Sequence, residues 1–239
     1  QTTLTSNLHR IVAGLRGKIG TWNWEAGVLE SRAQVVDRSM SYVRQSLYQA
    51  ALQRTDATAF NPWGYTFKVQ GNAVVADKPY QNPQAVMSSF TTRFRRDGRS
   101  AIAGIDARAS GSVYSLWAGD ISLALGAEYR KEKFSDLRPP YISVNPPNSG
   151  LDPNGNDVFQ FPPAPDSAGK RTITSFYAET VVPLAAPRND IKLLKSLELS
   201  ASARHERYND FGKTTKPKVG INWKPATAVM LRAPYSEGF

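Results

Sequence analysis

The 239-residue sequence has no cysteine and only two histidines, His9 and His205. The first absence removes a disulfide framework, a thiolate metal site and a thiol nucleophile, and leaves the redox compartment open. Each histidine sits in a strand-like stretch without another His or Cys at ligand spacing, so no metal site is expected. No apolar run approaches the roughly 18 residues of a spanning helix, and the mean hydropathy is −0.42. A transmembrane helix is excluded. A transmembrane β-barrel is not, because alternating lipid-facing and lumen-facing residues average to a polar-looking chain. The opening Gln1-Thr-Thr-Leu-Thr-Ser-Asn7 lacks the basic and apolar regions of a cleavable signal peptide. The chain is expected to be cytoplasmic, already processed, or a piece of something longer.

Catalytic signatures are missing as well. Asp152-Pro-Asn-Gly-Asn-Asp157 superficially resembles a calcium loop, but Asp157 stands where glycine is required and Pro163 where glutamate is required, so it reads as turns. Gly169-Lys-Arg-Thr172 lacks the upstream glycine of a phosphate loop, and no Gly-x-Ser-x-Gly elbow occurs. A protein that is not an enzyme, with no cofactor and no metal, is the expectation.

What the sequence does have is 41% hydrophobic residues, 21% charged residues, 17 glycines and 16 prolines, enough for one ordinary domain with a sizeable core. Its 30 Lys and Arg against 20 Asp and Glu give +10, which raises nucleic acid or an anionic membrane as a partner. Apart from Arg93, Arg95, Arg96 and Arg99, and Arg130, Lys131 and Lys133, the cations are spread along the chain among acids. No aromatic-plus-basic platform emerges, so nucleic acid is not expected.

Period-two alternation carries the fold. Ile121, Leu123, Leu125, Ala127 and Tyr129 alternate with Ser122, Ala124, Gly126, Glu128 and Arg130; Leu197, Leu199, Ala201 and Ala203 alternate with Glu198, Ser200, Ser202, Arg204 and Glu206. Similar stretches lie at 8–18, 20–34, 100–112, 172–183, 214–224 and 227–237, giving about eight strands, many longer than the usual 5–6 residues. Two connections are long, about 35–99 and 135–170, and both fall on the same end of an antiparallel meander. Tight turns on one side and free loops on the other is the habit of an outer-membrane barrel. The first long loop contains a helical stretch, Met40 to Arg54, with Met40, Val43, Leu47, Ala50, Ala51 and Arg54 at spacings of three and four. The second, with Pro139, Pro140, Pro146, Pro147, Pro153, Pro162, Pro163 and Pro165, reads as an extended surface loop.

Four of the five tryptophans, Trp22, Trp24, Trp117 and Trp223, gather at the tight turns, where an aromatic girdle would lie at one membrane interface. Tryptophans capping a core at strand ends give the same pattern. Glu128, Arg130, Glu179, Arg204 and Glu206 project from the wet face of three strands; in a barrel that face is the lumen, where structural pairing is their expected role.

Several segments together resemble a known family. Phe176-Tyr-Ala-Glu-Thr-Val-Val-Pro183, Leu197-Glu-Leu-Ser-Ala-Ser-Ala-Arg204, Asn209-Asp-Phe-Gly-Lys-Thr-Thr-Lys-Pro-Lys-Val-Gly220 and Leu231-Arg-Ala-Pro-Tyr-Ser-Glu-Gly-Phe239 resemble the mid-barrel of proteobacterial TonB-dependent outer-membrane receptors. Asp120 to Arg130 is similar to the strand that precedes it there, and Ala59-Phe-Asn-Pro-Trp-Gly64 resembles a loop signature, with Trp63 where the family has Phe. Nothing resembles the plug domain or the energy-coupling box, and Pro234 replaces a small residue such as serine. A plugged 22-stranded barrel needs some 600 residues at roughly 30 per strand and connection. A mid-barrel fragment spanning 1–239 is therefore expected.

The resemblance implies a Gram-negative outer-membrane receptor that takes up a scarce ligand of the siderophore, cobalamin or oligosaccharide class, with membrane lipid around it and the TonB complex acting through a plug domain absent from this chain. Tyr42, Phe60, Trp63, Tyr65, Tyr141 and Phe159 are the candidate ligand contacts in the outer loops. The alternative is a small soluble or membrane β-barrel that acts as a binding module or adhesin. An outward face that is apolar on strand after strand distinguishes the receptor wall from a soluble module.

Overall fold

The computed structural model describes residues 2–159 and 161–237, without the side chains of residues 39–41. Gly238 and Phe239, which close the quoted segment from Leu231, and the Met40 side chain lie outside the described residues. In chain order the elements are β1 (Thr3–Ile19), β2 (Trp22–Val43), α1 (Gln45–Gln53), β3 (Tyr65–Gln70), β4 (Ala73–Pro79), α2 (Gln84–Ser89), β5 (Thr91–Leu116), β6 (Gly119–Leu137), β7 (Ser167–Ala185), β8 (Ser196–Tyr208), β9 (Gly212–Ala226) and β10 (Val229–Ser236). Eight strands form one sheet in the order β1-β2-β5-β6-β7-β8-β9-β10, and β3 and β4 form a separate hairpin. This is the all-β antiparallel meander that the alternation predicts, the open sheet of a partial β-barrel.

The strands outrun the periodicity that reveals them. β2 has 22 residues and β5 has 26, so the two long connections shrink to 44–90 and 138–166. Near these ends strict alternation lapses, with Val35 and Val36 adjacent and Arg95, Arg96 and Asp97 consecutive, while side chains pair across strands: Gln34 Nε2 donates to both Asp97 oxygens at 3.2 Å, and Arg96 grips Asp136 through two bonds of 2.6 Å. The expected helix from Met40 to Arg54 is cut to Gln45–Gln53, because Met40 to Val43 continue β2. The β3–β4 hairpin inside the first connection is an element that periodicity over six or seven residues did not resolve.

The chain divides into two compact units. The first comprises 1–7, 34–99 and 135–168 and holds both long connections. Its core is small: Ala51 of α1, Val86 of α2 and Phe90 are buried, with Val43, Leu47, Tyr48, Phe60 and Met87 packed on them. The proline-rich connection is not extended. Its remaining amides find local partners, Asn145 donating to Gly155 (2.9 Å) and Ala164 to Ser143 (2.9 Å), and Ile142, Ser143, Asn145, Asp157 and Val158 are buried. Proline removes donors from a ladder, but the polar residues between the prolines supply enough donors and acceptors to fold the segment on itself.

The second unit comprises 8–33, 100–134 and 169–239. Here β1–β2, β5–β6 and β9–β10 are joined by two-residue turns, of which Gly20, at φ +60°, takes the left-handed conformation that glycine adopts freely. β8 pairs antiparallel with β7 and β9 without a register shift from Leu199 outward, so odd residues of β8 stand beside even residues of β7 and odd residues of β9. Side-chain period two then fixes two faces for the unit.

Candidate functional site

One face of the second unit is apolar and exposed. Across β7, β8 and β9 it reads Val182, Leu199, Ile221; then Thr180, Ala201, Val219; then Ala178, Ala203, Pro217; β10 adds Leu231 and Tyr235. Leu125, Ile105 and Phe176 extend it, Phe176 being 56% exposed. Leaving one such side chain in water instead of burying it forfeits about 1.5–3 kcal/mol, and a contiguous exposed patch of this kind marks a membrane or partner surface. At the turn end, Trp117 Nε1 donates to the Leu184 carbonyl (3.0 Å) and Trp223 Nε1 to the Leu193 carbonyl (2.8 Å), each indole satisfying its polar atom while the ring stays at the surface.

The opposite face is charged and paired. Glu128 and Arg130 of β6 are 2.8 Å apart, and Arg204 of β8 reaches Glu128 (3.4 Å) and Glu206 (2.7 Å). The same alternation brings in Glu132, which pairs with Arg130 (2.8 Å) and Arg171 (2.6 Å). The Arg130 Nε–Glu132 approach is an ionic contact without hydrogen-bond alignment, since that Nε is buried with no directed acceptor. Glu206, 7% exposed, also accepts from Tyr208 (2.5 Å) and Ser175 (3.3 Å). Three carboxylates thus meet three guanidinium groups in one balanced network. Glu179 shares the face, opposite Ser202 in the register. The network fixes the positions of its six side chains.

Gly126 shows how closely this face is packed. A Cβ there would overlap the Tyr177 ring, so the aromatic side chain of β7 lies against a bare backbone on β6.

In the first unit, the two long connections are tied by one buried carboxylate. Asp157 accepts from Arg44 Nε (2.7 Å), the Ser46 amide (2.7 Å) and the Ser46 hydroxyl (2.6 Å). Its side chain is 4% exposed and that of Arg44 is 16% exposed. Ser46 lies in the first turn of α1, so a residue from the second connection caps a helix in the first, satisfying an orphan N–H with an anion at the positive end of the dipole. The Arg44 guanidinium also lies 3.5 Å above the Tyr141 ring. Tyr141, at φ +68°, is held in that conformation by bonds from its amide to Val144 O (3.0 Å) and from the Asp157 amide to its carbonyl (2.8 Å).

The six aromatic ligand candidates therefore separate. Phe60 packs on Tyr48 and Phe90, and Tyr42 belongs to β2, edge-on to Phe94 (5.5 Å) and Phe161 (5.0 Å). Those two and Tyr141 serve the packing of the unit. Trp63 is 70% exposed and touches Phe67 edge-on, while Tyr65 and Phe159 are also exposed. Arg44, Ser46 and Asp157 were not legible as a site, because their partnership joins residues more than a hundred positions apart. Glu132, Arg171 and Tyr208 were within reach of the alternation that reveals Glu128 and Arg204.

An open meander with one apolar and one ion-paired face agrees with the family comparison: the model described as TonB dependent receptor-like, beta-barrel matches residues 6–239. The chain belongs to this TonB-dependent receptor β-barrel family. Comparison with curated proteins finds no match. Members of the family are receptors and transporters of the Gram-negative outer membrane, not enzymes, and TonB is their energy-coupling partner.

Proposed function

We propose that this chain is wall and outer loop of a receptor in the outer membrane that imports a scarce ligand, of the siderophore, cobalamin or oligosaccharide class, by energy-coupled transport. The observation that carries the reading is the continuous apolar face across β7–β10, backed by a charge-balanced face on the same strands. A soluble binding module would spend several kcal/mol exposing that surface. In this reading Glu128, Arg130, Glu179, Arg204 and Glu206 face the lumen, and Trp63, Tyr65 and Phe159 are the candidates exposed enough to meet ligand, Phe159 from an edge-on contact with Tyr48. TonB acts on such a receptor through its plug domain.

The absence of cysteine gives a clean test. The chain is expressed in a Gram-negative host with a single substitution, W63C in the loop or L125C on the apolar face. Outer-membrane fractionation, labelling of W63C by a membrane-impermeant maleimide on intact cells, and protection of L125C are expected. Recovery in the soluble fraction with both positions labelled would overturn the reading.

A further inference from the structure

The apolar face ends in cations. On β8 and β9 it continues past Ala203 and Pro217 to His205 and Thr215, which are bonded to each other (2.8 Å), and then to Arg207 and Lys213, which stand directly opposite one another in the register. Like charges at a cross-strand pair repel. On β6 and β7 the pattern repeats. Glu132 and Arg171 pair on the charged face, so their neighbours Lys131, Lys133 and Lys170 turn to the other one. Lys131 places its ammonium beside the Tyr129 ring (5.6 Å), an aromatic-then-cation order typical of a membrane interface.

These five residues are exposed, and no Asp or Glu occupies the alternate positions of that face over 129–133, 170–176, 203–207 or 213–217. None of the five forms an ion pair among the described residues. Asp210, in the turn between β8 and β9, forms no ion pair with Arg207 or Lys213 among the described residues. The contrast with Arg130, Arg171 and Arg204, all paired on the other face, shows that this chain has carboxylates available to place against cations and places none here. Beside the cations lies a groove of about 670 Å³, bordered by Leu125, Ala127, Phe176, Ala178, Ala203 and His205. Its small side chains leave room for a hydrocarbon chain, and its His205 end leads to Arg207.

We propose that this cationic border binds the phosphate groups of phosphorylated glycolipids in the surrounding leaflet, with Arg207 and Lys213 sharing one phosphate and an acyl chain lying in the adjacent groove. The proposal rests on the outer-membrane reading. An anion between Arg207 and Lys213 converts their repulsion into two charge-assisted bonds, and continuity with the apolar face selects a lipid over a soluble anion.

The full chain, refolded in detergent, is first floated with phosphatidylcholine vesicles, then titrated in detergent with a bisphosphorylated glucosamine-disaccharide lipid and followed by native mass spectrometry. Binding of this lipid in preference to phosphatidylcholine is expected, with loss on the order of tenfold or more in R207Q/K213Q and retention in the charge-preserving R207K/K213R. Failure to float would overturn the membrane reading and this proposal together. Flotation without preference for the phosphorylated lipid, or unchanged affinity in R207Q/K213Q, would overturn this proposal alone. So would equally strong competition by inorganic phosphate, which would make the border a general anion patch.

Discussion

Replacing Asp157 with alanine removes a side chain that joins the two long connections through both charge and helix capping. Three bonds vanish, to Arg44 Nε, the Ser46 amide and the Ser46 hydroxyl, and a guanidinium only 16% exposed loses its counter-charge. Breaking a buried pair by deleting one partner costs about 3–5 kcal/mol, because the remaining charge stays desolvated. The missing cap is already inside that figure, and the Tyr141 ring under Arg44 offsets about 1 kcal/mol of it. Local opening of α1 and its contacts should therefore become easier by roughly 2–4 kcal/mol, or about 30- to 1,000-fold. Asp157→Asn should cost less, since its remaining carbonyl still accepts from the Ser46 amide.

The measurement is native-state hydrogen exchange of the amides from Tyr48 to Gln53. A global melt reports the whole sheet and would miss a local opening. The double variant R44M/D157L separates the charge from the packing: replacing both partners with apolar groups recovers most of the loss if the penalty is the stranded guanidinium. Unchanged exchange in Asp157→Ala, within about 0.5 kcal/mol, would refute the reasoning and place the joint elsewhere.

Three further outcomes follow. Gly126→Ala should destabilise by about 1–3 kcal/mol through overlap with the Tyr177 ring, and Tyr177→Ala in the same chain should relieve it where Tyr177→Phe does not; thermal unfolding in detergent measures both. Thr58's hydroxyl and amide hold the Asp56 carboxyl below its ordinary range, so the turn's stabilisation is full above the unfolded carboxylate pKa and disappears as pH falls through the lowered folded value; protection of the Thr58 amide, corrected for intrinsic exchange, should fall in that acid window and stay flat above it. In plain buffer the chain should aggregate, because β1 and β10 end the sheet with an open edge each and the apolar face adds a second liability; a stable monomer by size-exclusion chromatography without detergent would favour a soluble module.

The meander, the strand count and the two faces were legible because period-two alternation is a local signal that each strand carries by itself. Leu123, Leu125 and Ala127 announce an apolar face without any knowledge of β7. The strand ends were not legible, since Asp97 and Arg96 are polar on adjacent positions and only their partners, Gln34 and Asp136, show that a ladder persists. The candidate ligand contacts were the least accessible part. Aromatic type alone cannot distinguish Phe60, folded against Phe90, from Trp63, which meets solvent. The difference depends on where Ala51 and Val86 bring their helices.

The +10 charge of the chain gains its meaning from this partition. On the ion-paired face Glu128, Glu132 and Glu206 neutralise Arg130, Arg171 and Arg204, so that network presents hydrogen-bonding capacity with little net field. Lys131, Lys133, Lys170, Arg207 and Lys213, by contrast, leave five positive charges at one border of the apolar face. A nucleic-acid surface needs its cations spread over a polar platform that tracks a phosphate backbone. Here they border apolar side chains that no nucleic acid would cover. Salt should separate the two sets: above the ionic strength at which the Debye length falls to about 3 Å, attraction of anionic lipid to the border should weaken markedly, while the partly buried bonds of Glu206 persist because solvent screens them less.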